Sequence, residues 1–131
     1  GIPLASRVAH LMNIPLVVVR REAKVSEGST VSINYFSGSY DRIQRMSMSK
    51  RAIASGSRVL IIDDFMRGGG SVIGISEMTA EFNASVVGVG VAIASLKPEQ
   101  KKVDDYTCLV YIDDIPTDGK EIPLKPSENI F

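Results

Sequence analysis

Val59-Leu60-Ile61-Ile62-Asp63-Asp64-Phe65-Met66-Arg67-Gly68-Gly69-Gly70-Ser71 decides how the rest of this 131-residue sequence is read. Four apolar residues in succession, 59–62, make a strand buried on both faces, because a half-exposed strand would alternate. Two aspartates end the run. Three glycines follow, then Ser71, placed to cap a helix. Val72, Ile75, Met78 and Phe82 give that helix one apolar stripe, and Asn83 closes it. A strand that turns through glycine into a helix is the unit of an α/β fold. In such sheets ligands sit beyond the carboxyl ends of the strands, where these aspartates and glycines lie.

The residue types divide the work of binding. Gly68, Gly69 and Gly70 allow positive φ and a close backbone approach. Successive N–H groups can then form a nest for an anion, helped by the Ser71 hydroxyl and the positive end of the helix. Asp63 and Asp64 would repel phosphate but accept hydrogen bonds from hydroxyls. A phosphate at one end and a diol at the other describe a ribose 5-phosphate. Residues 68–73 lack the third glycine of a dinucleotide fingerprint, and no Gly-Lys-Ser/Thr of a Walker loop occurs. A glycine triplet alone would read as a mobile turn. Its junction with strand, double acid and helix argues for a site.

Working outward, Leu4, Val8, Leu11 and Met12 share a helical face, so 4–13 reads as a helix ended by Asn13 and Pro15. Residues 15–19, Pro-Leu-Val-Val-Val, read as a buried strand that stops at Arg20-Arg21-Glu22. Residues 22–50 read as a long loop containing a hairpin, with Val31, Ile33 and Tyr35 on one face and a return strand alternating over 43–48; such an excursion is usually functional. Residues 50–55 read as a brief helix stopped by Gly56. Strands are expected at 86–94 and 106–112, and a polar surface tail past Asp113. Together these give one domain over 1–131, an α/β parallel sheet flanked by helices.

Composition narrows the function. The chain is 44% apolar, with four Phe, four Tyr and no Trp, so its core is mostly aliphatic. No apolar run approaches a membrane span, and no signal peptide is visible. A single cysteine, Cys108, forbids an intrachain disulfide and fits a cytoplasmic location. His10 has only Cys108 as a soft partner, which excludes a zinc cluster and leaves no expected metal ligands. His10 itself reads as a surface helix residue. Residues 1–58 hold nine Lys/Arg against three Asp/Glu, a net +6, and residues 59–131 balance them at −6. The basic half suits a wall facing phosphate, although the neutral whole is not a nucleic-acid binder by itself. The start at Gly1-Ile2-Pro3, without Met, is that of a fragment or a processed chain.

Residues 59–71 resemble the signature of the type I phosphoribosyltransferases. The resemblance implies that Asp63 and Asp64 hold the ribose hydroxyls and that Phe65, Met66, Arg67, Gly68, Gly69, Gly70 and Ser71 form the 5-phosphate loop. It makes Gly1 and Ile2 the end of the pyrophosphate loop, with Arg20 and Arg21 beside the pyrophosphate. Residues 25–50 become the flexible loop that closes over the ligand, with Tyr35, Ser37, Gly38, Ser39 and Arg42 as its contacts. Gly28-Ser29-Thr30-Val31-Ser32-Ile33-Asn34-Tyr35, Arg42-Ile43-Gln44 and Asp63-Asp64-Phe65-Met66 further resemble the purine operon repressor family of Gram-positive bacteria. That resemblance implies a homodimeric repressor of purine biosynthesis genes. In it a winged helix that precedes this domain, and the domain's first strand, both absent here, would complete the protein and bind DNA. Phosphoribosyl pyrophosphate would be the effector that relieves repression; magnesium is allowed but not required by the sequence, and phosphorylated purine nucleotides are candidate competitors. Arg67-Gly68 departs from the small residues usual in the enzymes, and no residue set for a purine ring is visible. The expectation is therefore a sensor with no catalytic residues; the alternative is an active adenine- or xanthine-type phosphoribosyltransferase.

Overall fold

A computed structural model describes residues 1–21, 28–38, 40–115 and 118–130. The elements run α1 (Ile2–Met12), β1 (Thr30–Ser37), β2 (Arg42–Ser49), β3 (Arg58–Met66), α2 (Gly70–Glu81), β4 (Ser85–Ser95), β5 (Thr107–Ile112) and β6 (Lys125–Pro126). The main sheet has the order β3-β4-β5-β6, with β3, β4 and β5 parallel and β6 antiparallel at the edge. β1 and β2 form a separate antiparallel hairpin.

The apolar runs at 59–62, 86–94 and 106–112 become the parallel strands β3, β4 and β5 as expected. Ile61 pairs with Val89 and Val91 with Cys108. With Met66, Val72 and Ala94 these residues make the main core. Glycines in β4 make room for the bulk of β3: a Cβ at Gly90 would stand 3.0 Å from Ile62 Cδ1, and one at Gly88 3.2 Å from Leu60 Cδ1. The free cysteine is buried in this core, and burial pushes its thiol pKa up.

The hairpin is a packed element. Met46 and Met48 are buried with Met78 of α2, and Ile33, Tyr35 and Phe82 pack around them. Gly74 is the seam, since its Cβ would lie 3.1 Å from both Met46 Cε and Tyr35 Cβ. The part of the expected flexible loop at 30–49 is thus docked on α2, while residues 22–27 lie outside the described residues.

Several expectations are corrected. Residues 14–19 form no strand; Leu16 and Val17 are 42% and 36% exposed, and Arg20 alone bridges to Ser47. An apolar run needs a neighbouring strand to become a ladder, and none lies beside it among the described residues. Residues 50–55 form turns rather than a helix, closed by Ala52 N–H to the Ser49 carbonyl and Ser57 N–H to the Ala54 carbonyl. The helix at 70 is capped by Gly69, not Ser71; Ser71 sits inside the first turn and makes no cap hydrogen bond. The tail is not all loop, because Lys125–Pro126 returns to pair with Tyr111 and Val110 and Ser127 is buried. Pro116 of that tail lies outside the described residues. Among the described residues no helix is long and apolar enough to cross a membrane.

Candidate ribose-phosphate site

β3 runs through the double acid to Met66, so the connection to α2 is only Arg67-Gly68-Gly69. That tightness places Asp63 and Asp64 at the carboxyl end of the terminal strand β3 and the helix start a few residues on. Gly69 takes φ +82°, the left-handed region that glycine enters without strain, and a Cβ there would meet Val103 Cγ2 at 2.9 Å. Gly70 abuts β1, and a Cβ on it would collide with the Phe36 carbonyl oxygen. The glycines therefore serve packing as well as any ligand: one clears β1, another the 103 segment.

One cavity of about 990 Å³ gathers most of the expected site. Its lining includes Asp63, Asp64, Phe65 and the whole of 67–71, together with Gly1, Ile2, Arg20, Arg21, Tyr35, Ser37 and Gly38. Met66 is not among them; it is 1% exposed and belongs to the core. Phe65 keeps its strand pairing, opposite Ile93. The turn after β3 thus begins at Arg67 and not at Phe65 as expected, because the strand ladder continues two residues past the aspartates. Arg42 does not line the cavity but stands over the Tyr40 ring, 5.6 Å from its centroid. Ser39 lies outside the described residues.

The two aspartates differ in state. Asp63 is half-buried and accepts the Asp64 N–H at 3.0 Å. Its pKa is raised, first by burial and then by the neighbouring Asp64 carboxyl. Asp64 is 68% exposed, and its pKa is lowered first by the Gly1 amine, 2.9 Å away in the chain that begins at Gly1. Gly1 itself is pressed on Asp63, since a Cβ there would lie 2.9 Å from Asp63 Oδ1. Both carboxylates accept hydrogen bonds, as a vicinal diol requires.

The cations are organised by residues far apart in sequence. Arg21 Nη1 donates to the Tyr40 hydroxyl at 3.1 Å and its guanidinium lies 4.7 Å from that ring's centroid. This hydrogen bond is the leading reason that the Arg21 pKa is raised and the Tyr40 pKa lowered. Arg67 Nη1 donates to the Gly38 carbonyl at 2.7 Å, and its Nε lies 3.4 Å from Asp114 Oδ1 without hydrogen-bond alignment. Arg67 is therefore a strut from the glycine turn to the hairpin turn. Lys101 Nζ donates to the Arg67 carbonyl at 2.7 Å, and burial lowers its pKa. Tyr40, Lys101, Val103 and Asp114 join the site without any signal in the sequence. No local motif marks them, because each reaches the loop through tertiary contact. Among the described residues no three His, Cys, Asp or Glu side chains group as a metal site.

This fold and this loop define a class, and the chain belongs to the phosphoribosyl transferase domain family, which it matches over residues 1–128. It is 48% identical over 125 residues to the purine biosynthesis transcriptional repressor PurR of Bacillus subtilis (strain 168), a match covering 95% of this chain and 44% of that protein. It is 39% identical over 131 residues to the purine biosynthesis transcriptional activator PurR of Lactococcus lactis subsp. lactis (strain IL1403), covering 100% of this chain and 48% of that one. The chain thus spans about half the length of these curated relatives. Among solved structures, adenine phosphoribosyltransferase from Rhodothermus marinus DSM 4252 superposes with a TM-score of 0.71 at 23% identity, covering 83% of this chain and 62% of that one. That likeness concerns the fold.

Proposed function

We propose that this chain is the effector domain of a transcriptional regulator of purine biosynthesis and that its effector is phosphoribosyl pyrophosphate. One observation carries the reading: the half-buried Asp63 and exposed Asp64, the Arg67–Ser71 turn, and Arg20 and Arg21 all line a single cavity. In this account Asp63 and Asp64 accept the ribose hydroxyls and the backbone N–H groups at the start of α2 take the 5-phosphate. Arg20 and Arg21 face the pyrophosphate. Magnesium would enter with the ligand's phosphates, since among the described residues no cluster of His, Cys, Asp or Glu is built to hold it. The relatives that are regulators, at 39–48% identity, support regulation over catalysis.

The effector acts by differential affinity for two states. Arg67 already ties the phosphate loop to the hairpin through Gly38, so a ligand that draws on the Arg67 charge would move the hairpin turn. DNA binding belongs to a winged-helix domain outside this chain, in a homodimer. Phosphorylated purine nucleotides share the phosphate and ribose and would compete. A second reading, an active purine phosphoribosyltransferase, rests on the same aspartate and loop arrangement.

Two experiments test the proposal. The longer protein is bound to its purine operator and phosphoribosyl pyrophosphate is added; release of DNA is expected, and unchanged retention at saturating ligand would overturn sensing. The chain is also incubated with the ligand, magnesium and each purine base. No pyrophosphate above the buffer rate is expected, and release at about 1 s⁻¹ or faster, within the usual range of enzymes, would replace the sensor with the enzyme.

A further inference from the structure

We propose that this chain carries a second ligand site, distinct from the ribose-phosphate cavity, in which a mononucleotide lays its base on Phe36 and its phosphates between Lys97 and Lys102. The inference does not depend on which ligand the first cavity takes.

The site is a cavity of about 340 Å³ that shares Arg67, Gly68 and Gly70 with the larger one. The rest of its wall is largely its own. Phe36 of β1, Asp41 of the hairpin turn, and Lys97, Pro98, Gln100 and Lys102 of the loop after β4 line it, and none of them lines the first cavity. Two hydrogen bonds fix the loop after β4 to the glycine turn. The Lys102 N–H donates to the Gly68 carbonyl at 2.9 Å, and Lys101 Nζ donates to the Arg67 carbonyl at 2.7 Å. Three segments remote in sequence thus make one concave seat.

Its chemistry is that of a nucleotide. Three lining cations, Arg67, Lys97 and Lys102, face one lining carboxylate, Asp41. Among the described residues no carboxylate stands within ion-pair distance of Lys97 or Lys102, and Asp114 reaches only Arg67. Gathered cations repel one another, and a bound anion offsets that repulsion. The Lys102 ammonium lies 5.6 Å from the centroid of the Phe36 ring, which is 44% exposed. An open aromatic face beside cations is a platform for a planar base. Asp41 repels phosphate, but it accepts hydrogen bonds from ribose hydroxyls and base amines, and the Gln100 amide both donates and accepts. An inorganic anion would leave Phe36, Asp41 and Gln100 unused. A duplex presents phosphates on a convex rod with its bases turned inward, which does not suit a concave seat. The volume stands near the small end of the usual range for ligand sites, about 300–1,000 Å³, so one nucleotide fits better than a dinucleotide.

Calorimetric titration of the longer natural protein with ATP tests this, with inorganic tripolyphosphate and duplex DNA as comparison ligands. Phe36, Lys97 and Lys102 are all exposed, so their variants are expected to fold as the parent does. A binding phase for ATP is expected that Lys97→Ala/Lys102→Ala weakens at least tenfold. Phe36→Leu should weaken the same phase at least fivefold, as loss of a stacking platform does, and should leave tripolyphosphate binding within about twofold. Lys50→Ala/Lys120→Ala, an equal change of charge away from the cavity, should leave the phase within about twofold. So should Arg21→Ala, which alters the first cavity alone. No binding of ATP would overturn the proposal. So would a phase lost in Arg21→Ala and kept in Lys97→Ala/Lys102→Ala, which would place the nucleotide in the first cavity. Equal affinity for ATP and tripolyphosphate would remove the base from Phe36 and refute the assignment. Loss of duplex DNA binding in the lysine variant, with ATP binding unchanged, would give the lysines to nucleic acid instead.

Discussion

Replacing Gly70 by alanine separates the two reasons a glycine can stand in the turn before α2. Gly70 is the first residue of α2 and is not among the glycines with positive φ, so alanine there carries no backbone strain. In an open helix start it would gain up to about 1 kcal/mol from alanine's higher helix propensity. In this structure its Cβ would overlap the Phe36 carbonyl oxygen, a backbone atom of β1 that cannot rotate away. Forcing the two apart is overpacking, which costs about 1–3 kcal/mol. The net expectation is a loss of about 1–2 kcal/mol and a fall in Tm of roughly 4–8 °C for a chain of this size. Urea unfolding measures it directly, with the midpoint shifted and the slope unchanged. The displaced hairpin turn would also part Gly38 from the loop, since a Cβ on Gly38 would now stand 3.6 Å from the Gly68 nitrogen. Ligand affinity should therefore fall with stability. A Gly70→Ala chain as stable as the parent, or more so, would refute the close seating of the hairpin on the helix start.

Gly69→Ala combines left-handed strain of about 1–2 kcal/mol with the Val103 contact, and Val103→Ala should restore the contact part only, as a double-mutant cycle will show. Met78→Ala empties the second core, where Met78 is 0% exposed, and should cost about 2–5 kcal/mol and loosen the hairpin in hydrogen exchange. Asp63 has a raised pKa, so the fold favours its neutral form, and that stabilisation is lost as pH rises from the ordinary carboxylate range through the raised value. Asp63→Asn should accordingly raise Tm at pH 7 and flatten its pH dependence above pH 4, while weakening ligand binding. Ligand affinity of the parent chain should fall as acid protonates Asp63, at a higher pH than an ordinary carboxylate would show. Tyr40→Phe frees Arg21 from its hydroxyl partner and should weaken binding of the pyrophosphate end, with a larger effect at low salt.

Much of the fold was legible because the strongest local signals were also the core. The run 59–62, the glycine turn and the Val72–Met78 stripe marked β3, the loop and α2 in place, although β3 runs four residues past Ile62, to Met66. The hairpin was readable from alternation, since Met46 and Met48 do face one side. Residues 15–19 failed for a physical reason: a strand is a pairwise object, and an apolar run cannot form a ladder with nothing beside it. Ser71 failed as a cap because Gly69 reaches the left-handed conformation and starts the helix two residues earlier. At the site, the aspartates, glycines and arginines were visible as residue types suited to diol and phosphate. The strut from Arg67 to Gly38, and the supports from Lys101, Asp114 and Tyr40, span 19 to 47 positions and leave no local pattern.

Calorimetric titration of phosphoribosyl pyrophosphate into the folded chain and into its Asp63→Ala/Asp64→Ala variant tests the site most directly. The account predicts saturable one-site binding by the parent and a loss of affinity of at least tenfold in the variant, with the variant still folded. No heat with the parent, or equal affinity in the variant, would contradict it.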